Sequence, residues 1–146
     1  MSVQVLYTAH AVSTGGRNGH SESSDGVVSV DLSIPKSMGG PGKPGTTTPE
    51  DLFAVGYAAC FGSAVEFFGK QLKLNPTSVE VDHSVSVGLV DGELANGFGL
   101  VVAIEVKIAG LSQEDADKLV EAAHAGCPYS RAIKGNVPVT VKVTLA

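Results

Sequence analysis

Residues 46–69 read TTTPEDLFAVGYAACFGSAVEFFG and predict the helix around which the chain is built. Thr48 is a good N-cap residue, proline fits the first helical position, and Glu50 and Asp51 suit the positive end of the helix dipole. Apolar residues recur at three- and four-residue steps and also occupy the other faces. A helix that is apolar nearly all round belongs in a core. We therefore expect a buried helix with Cys60 deep inside.

Length and charge narrow the possible classes of protein. The chain has 146 residues, enough to bury one substantial core, and we expect a single domain over 1–146. A net charge of −5 gives no basic footprint, so neither nucleic acid nor a membrane surface is an expected partner. We see neither a signal peptide nor an apolar run of membrane-spanning length, and we expect a cytoplasmic protein.

The periodic segments predict an α+β fold in which helices pack against antiparallel sheet. Residues 3–11 and 28–34 alternate and predict an N-terminal hairpin, with Arg17 at the tip of its glycine-rich connection. The later expected elements are an antiparallel pair of strands over 79–90 and 100–108, a helix capped by Ser112 and ended by Gly126, and a final strand over 139–145.

Residues 35–45, PKSMGGPGKPG, are too rich in proline and glycine for regular structure and predict a loop. The loop leads into the Cys60 helix. Composition alone is equally consistent with a mobile cover over a pocket and with a plain connector.

The two cysteines, Cys60 and Cys127, are the first candidates for chemistry. In a reducing compartment such a pair is more often catalytic, redox-active or metal-binding than a structural disulfide. They lie 67 positions apart, which excludes a CxxC turn and any standard zinc-ligand spacing, and the four histidines are scattered. We therefore expect neither a metal nor a cofactor. A cysteine on an apolar helix can also be a simple core residue.

A nucleophilic Cys60 would need help to ionise, because burial raises the pKa of a thiol. It lies about twelve residues into the helix, where the dipole has faded. The chain has two arginines, Arg17 and Arg131. A guanidinium at about 4 Å and an effective dielectric near 20 supplies at most about 4 kcal/mol, so one arginine would suffice.

Two rival classes stay open at this point. The first is a hydrolase with a Cys–His pair, in which His124 or His83 is the base, but it leaves Cys127 without a task. The second is a non-enzymatic ligand-binding domain with incidental thiols, which the buried helix alone would fit.

Five motifs together resemble the organic hydroperoxide resistance (Ohr) branch of the OsmC family, and the match spans essentially the whole chain. They are GGRNG at 15–19, MGG at 38–40, TPEDLFA at 48–54, GYAACF at 56–61 and CPYS at 127–130.

The resemblance implies an OsmC-like fold, an intertwined homodimer, and thiol peroxidase activity on organic hydroperoxides. By motif, Cys60 is peroxidatic, Cys127 is resolving, and Arg17 and Glu50 polarise the thiolate. The implied reductant is a dithiol, such as a lipoylated protein. The OsmC branch, with a different substrate preference, is the close alternative. One departure is the motif Thr48-Pro49-Glu50-Asp51, where the family usually has Asn-Pro-Glu-Gln. Asn and Thr both cap helices, but the charge of Asp51 could loosen the pairing of Glu50.

Helix geometry suggests that the site is shared between two chains. Glu50 and Cys60 are ten residues apart on one helix, about 15 Å, so they cannot meet within it. If two copies cross antiparallel near Val55, residue 50 of one lies beside residue 60 of the other.

Aromatic residues around Cys60 suggest the substrate class. An apolar pocket favours alkyl or fatty-acid hydroperoxides over hydrogen peroxide, which has no apolar tail to bury. The candidate rings are Phe53, Tyr57, Phe61, Phe67 and Phe68.

Overall fold

The helix expected over 46–69 forms as α1, Pro49–Leu72, in the computed structural model, which describes all residues 1–146. Its start is a capping box: the Asp51 N–H donates to Thr48 Oγ1 at 3.1 Å, and the Thr48 N–H donates to Asp51 Oδ2 at 3.2 Å. The prediction of Thr48 as N-cap is confirmed.

Only one face of α1 is buried by the rest of its own chain. The buried residues are Tyr57, Phe61, Ala64, Val65 and Gly69. Val55 is 71% exposed and Phe67 is 56% exposed. The expectation of burial on all sides was therefore wrong for a single chain, because a helix with one layer against it can cover only one stripe.

By length and composition alone, α1 is long and apolar enough to cross a membrane, since it has 24 residues and few charges. One such helix is weak evidence for a membrane span. The core helix of a soluble protein meets the same criteria.

Contacts divide the chain into two compact units, Met1–Leu52 and Phe53–Ala146. The expectation of one domain stays a prediction. The first unit contains an antiparallel sheet in the order β1, β2, β3. These strands are Ala11–Thr14, His20–Ser23 and Ser29–Asp31.

The expected strand over 3–11 was wrong, since residues 1–10 form no regular element and are exposed. Their alternation suits a strand, but an isolated strand is not stable without a partner, and this chain supplies none. The strand expected over 28–34 is also short: β3 ends at Asp31, and Leu32 makes a single bridge to Thr47.

The loop over 35–45 is confirmed, with one short 3-10 turn at Lys36–Met38. It is tied to the first unit through Ser33, which is 4% exposed. The Ser33 hydroxyl accepts from the Lys43 N–H at 2.9 Å and shares a 2.6 Å hydrogen bond with Thr46 Oγ1.

The second unit contains a mixed three-stranded sheet. β4, Ser78–Leu89, and β5, Phe98–Ala109, are antiparallel as expected. β6, Val139–Leu145, pairs parallel with β5, so the expectation of purely antiparallel sheet was wrong. The physical reason is the helical crossover between β5 and β6, which returns the chain in the same direction.

This crossover consists of α2, Gln113–Gly126, and the short α3, Pro128–Ile133, which the sequence pattern did not reveal. Ser112 caps α2 as predicted, accepting from the Asp115 N–H at 3.2 Å. Gly126 is not a left-handed cap. It lies against Phe68, and a Cβ there would approach Phe68 Cε2 to 2.2 Å.

The core of the second unit lies between α1, α2 and the inner face of β5. Side chains of β5 alternate into it, and those of the helices enter at three- and four-residue steps. Its fully buried members include Tyr57, Phe61, Val65, Val102, Val106, Ile108, Ala116, Leu119, Ala123 and Cys127.

Candidate active site

Arg17 is presented by a turn that only glycine can build. It occupies a 3-10 turn, Gly16–Asn18, preceded by Gly15 at φ 80° and with Gly16 at φ 59°. Both values lie in the left-handed region that favours glycine. A Cβ on Gly19 would lie 1.8 Å from the Thr14 carbonyl oxygen, so no other residue fits there.

Within the same unit, Arg17 pairs with Glu50 through two parallel hydrogen bonds. Nη1 donates to Oε2 at 2.9 Å, and Nη2 donates to Oε1 at 2.5 Å. Such a fork is the strongest form of an ion pair between side chains. The hydrogen bond from Arg17 holds the pKa of Glu50 below its usual value, so the carboxylate stays charged and the guanidinium keeps further N–H groups for other contacts.

Asp51 does not compete for Arg17. Its carboxylate turns to the helix start, where Oδ2 accepts from the hydroxyls of Thr47 and Thr48 at 3.3 and 3.0 Å. The expected loosening of the Glu50 pair is not visible in this geometry, because Asp51 is used as the second half of the capping box.

In the second unit, α1 and the junction of α2 with α3 bring the two thiols together. Cys127 donates toward Cys60, with the two Sγ atoms 3.7 Å apart. No disulfide joins them in this structure. We expected Cys60 to be deep and Cys127 to lie in a movable loop. The order of burial is the reverse, since Cys127 is fully buried between two helices and Cys60 is half-buried.

Burial raises the pKa of the Cys60 thiol, and the neighbouring Cys127 raises it further. The backbone N–H of Tyr129 donates to the Cys60 sulfur and acts in the opposite direction, because it stabilises the thiolate. Sequence reasoning missed this donor. The signal was Pro128 after Cys127, because a proline there is typical of the first position of a helix. The next backbone N–H, that of Tyr129, then lies in the first helical turn, where N–H groups have no partner within the helix.

Of the five candidate rings, three cluster with Tyr129. Phe53, Tyr57 and Tyr129 contact one another with centroids 5.6 to 5.9 Å apart, and Phe61 contacts Tyr57 at 6.4 Å. The other two, Phe67 and Phe68, contact each other. The candidate rings therefore form two groups: Phe53, Tyr57 and Phe61 lie in the part of α1 around Cys60, and Phe67 and Phe68 lie nearer its end.

Neither candidate base forms a pair with a cysteine. His124 Nδ1 shares a 3.0 Å hydrogen bond with Ser130 Oγ, and both ring nitrogens of His83 are buried without a partner. Ser130 also bonds the buried Tyr57 hydroxyl at 2.7 Å. The hydrolase hypothesis thus has no Cys–His geometry. No three metal-binding side chains of the His, Cys, Asp and Glu types come together.

Comparison with known families settles the relationship of this chain. The family model described as OsmC-like protein matches residues 40–142. The chain belongs to the OsmC-like family. This OsmC-like chain is 46% identical over 139 residues to the organic hydroperoxide resistance protein of Xanthomonas axonopodis pv. citri, with 94% of each chain covered.

Solved structures place the OsmC-like chain in the same group. A crystal structure of an organic hydroperoxide resistance protein from Legionella pneumophila has a TM-score of 0.89 at 45% identity, with 97% of this chain and 99% of that one covered. Another, from Elizabethkingia anophelis, has a TM-score of 0.90 at 40% identity and covers 99% and 100% of the two chains. The α+β OsmC/Ohr fold expected from the motifs is confirmed.

Proposed function

We propose that the chain is a thiol peroxidase that reduces organic hydroperoxides to alcohols. The observation that carries the proposal is the thiol pair: two free cysteines with Sγ atoms 3.7 Å apart, one of them half-buried and contacted by a backbone N–H. The names of the relatives, organic hydroperoxide resistance proteins, point to the same substrate class.

Cys60 is the residue that meets the peroxide, because it is the more accessible thiol. Its thiolate attacks one peroxide oxygen, the O–O bond breaks, and the alkoxide takes a proton and leaves as the alcohol. Cys60 is left as a sulfenic acid. Cys127 then attacks the Cys60 sulfur, a disulfide forms, and the hydroxyl leaves as water with the proton of the Cys127 thiol.

A dithiol reductant closes the cycle. It reduces the Cys60–Cys127 disulfide by exchange and becomes a disulfide itself, so electrons balance without any cofactor. A lipoyl group on a partner protein has this chemistry. The reaction requires both cysteines to start reduced, which fits a cytoplasmic location.

The Arg17–Glu50 pair supplies the charge that a buried thiolate needs. The carboxylate orients the guanidinium, whose charge lowers the pKa of the thiol and stabilises negative charge on the departing oxygen. Because helix geometry keeps Glu50 about 15 Å along α1 from Cys60, we assign the pair of one chain to the thiol of a second copy.

A homodimer also accounts for the uncovered apolar surface. Val55 lies near the midpoint between Glu50 and Cys60 and is 71% exposed. Residues 1–10 have a strand pattern without a partner strand, and Val3, Val5 and Tyr7 are more than 70% exposed. A second copy would bury this helix face and provide an edge for the N-terminal segment.

The aromatic cluster of Phe53, Tyr57 and Tyr129 supports the choice of substrate. It provides apolar surface beside the Cys60 turn that could hold the organic part of an alkyl or lipid hydroperoxide. Hydrogen peroxide would gain nothing from such contacts, and we expect it to react more slowly.

Turnover with cumene hydroperoxide and a dithiol tests this function in Cys60→Ser and Cys127→Ser. The first variant should lose all turnover. In the absence of the dithiol, the second should consume one equivalent of peroxide and stop as a sulfenic acid that a dimedone probe captures. Full activity of Cys60→Ser, or equal rates of the native protein with cumene hydroperoxide and hydrogen peroxide, would contradict the proposal.

A further inference from the structure

Cys127 lies between α2 and α3, next to a group of buried side chains that are hydrogen-bonded to one another. Three atoms form this group, here termed the Ser130 bridge: Tyr57 OH, Ser130 Oγ and His124 Nδ1. Ser130 Oγ lies 2.7 Å from the Tyr57 hydroxyl and 3.0 Å from His124 Nδ1. The bridge therefore joins α1, the end of α2 and the start of α3.

The bridge is placed symmetrically about the two thiols. His124 lies three residues before Cys127, and Ser130 lies three residues after it. Tyr57 lies three residues before Cys60, which is one turn away on the same side of α1. The segments that carry Cys60 and Cys127 are thus both hydrogen-bonded to Ser130 at a position about one helical turn from the cysteine.

Because the Ser130 bridge is buried, breaking one of its hydrogen bonds is costly in free energy. Ser130 is 3% exposed and Tyr57 is 0% exposed, so neither hydroxyl can turn to water if the bond is lost. Burial also lowers the pKa of His124, which keeps its ring neutral and lets Nδ1 accept from Ser130 while the Tyr57 hydroxyl donates to the same oxygen. All three groups are satisfied only when the three helices keep their present spacing.

We propose that Ser130 is a positioning residue for the thiol pair, which holds Cys127 against Cys60 through Tyr57 and His124 and so sets how readily the disulfide forms. The two sulfurs must close from 3.7 Å to the S–S bond length of about 2.05 Å. Misplacement by about 1 Å can slow a positioned reaction about a hundredfold. A bridge one turn from both sulfurs controls displacements of this size.

The kinetic half of this inference rests on the proposed peroxidase function, but the thermodynamic half does not. Equilibrium between the thiol pair and its disulfide depends only on how well the fold holds the two sulfurs together. Without the bridge, the distance between the two thiols varies more in the reduced protein. Disulfide formation then costs more conformational entropy, and the disulfide becomes easier to reduce.

The test compares Ser130→Ala with Ser130→Thr, which keeps the hydroxyl. The matched control is Ser63→Ala, because Ser63 is an exposed serine on α1, three residues after Cys60, and donates to its own helix at the Ala59 carbonyl. The disulfide equilibrium of the full chain is measured against glutathione buffers. We expect the alanine variant at 130 to favour the thiol form about tenfold, or about 30 mV, while the threonine variant and the Ser63 control stay within about twofold of the native protein.

A second pair keeps the test decisive if Ser130→Ala does not fold. His124→Asn places an amide atom near the position of Nδ1, whereas His124→Leu removes the bond. The leucine variant should shift the equilibrium as Ser130→Ala does, and the asparagine variant should not. An unchanged equilibrium in both Ser130→Ala and His124→Leu overturns the proposal, as does an equal shift in Ser63→Ala.

Stopped-flow oxidation by cumene hydroperoxide separates this inference from the function on which it partly rests. We expect Ser130→Ala to form the Cys60 sulfenic acid at the native rate and the disulfide about tenfold more slowly. If the native protein fails to react while the equilibrium shifts as expected, the proposed function is wrong and the positioning role stands. If the native protein reacts and Ser130→Ala forms the disulfide at the native rate, the positioning role is wrong.

Discussion

Replacing His83 by leucine, which has nearly the same volume, should make the fold more stable, and most of all in acid. His83 projects from β4 opposite Ile104 and its ring lies against Tyr57, with centroids 4.4 Å apart, and Phe61, at 5.6 Å. Both ring nitrogens are buried without a hydrogen-bond partner. Removing an unpaired buried polar group without leaving a cavity is stabilising, here by about 1 kcal/mol at neutral pH.

The acid effect follows from the pKa of His83, which burial lowers from its usual 6.5 to about 4, although the nearby Asp82 acts weakly in the other direction. Because the unfolded chain takes up this proton first, the native protein loses stability as pH falls from about 6.5 toward 4. At 1.36 kcal/mol per pKa unit, the loss reaches about 2 kcal/mol near pH 5. The leucine variant lacks this loss.

Urea unfolding at about pH 8 and about pH 5, at one protein concentration, measures the effect. The free energy of unfolding of His83→Leu relative to the native protein should rise by about 2 kcal/mol between the two conditions. Parallel behaviour of His83→Leu and the native protein would refute the assignment of His83 as a buried neutral ring.

Three further changes test other parts of the structure. Arg17→Lys cannot form the fork and should lower kcat/KM for cumene hydroperoxide about tenfold or more, whereas an unchanged value would remove Arg17 from the proposed site. Asp51→Ala breaks the capping box with Thr48 and should lower the free energy of unfolding by about 1 kcal/mol in urea; no change would mean that the cap contributes nothing. Gly126→Ala would force a Cβ to within 2.2 Å of Phe68, so thermal unfolding should show a loss of about 1 to 3 kcal/mol, and a neutral substitution would contradict the tight packing.

Local sequence signals predicted the parts of the fold that local physics determines. The capped start of α1 depends on Thr48 and Asp51, which are three residues apart, and the cap of α2 depends on Ser112 in the same way. The long alternation of β4 and β5 likewise carried enough pattern to identify an antiparallel pair. The turn that presents Arg17 could be anticipated because its glycines are themselves the signal.

The features that the sequence pattern did not predict depend on contacts between residues that are far apart in the sequence. Residues 3–11 alternate like a strand, but pairing decides whether they become one. The parallel pairing of β6 follows from the crossover through α2 and α3, and α3 is too short to show a helical period. The relative burial of Cys60 and Cys127 was reversed for the same reason, since the environment of Cys127 is created by the packing of three helices around Ser130.

The proposed catalytic cycle is tested most simply by the mass of the protein after one equivalent of cumene hydroperoxide, without reductant. We expect the native protein to lose two hydrogen atoms in mass, peptide mapping to find the Cys60–Cys127 disulfide, and Cys127→Ser instead to gain one oxygen on Cys60. A native protein whose mass does not change, or which carries the added oxygen on Cys127, would contradict it.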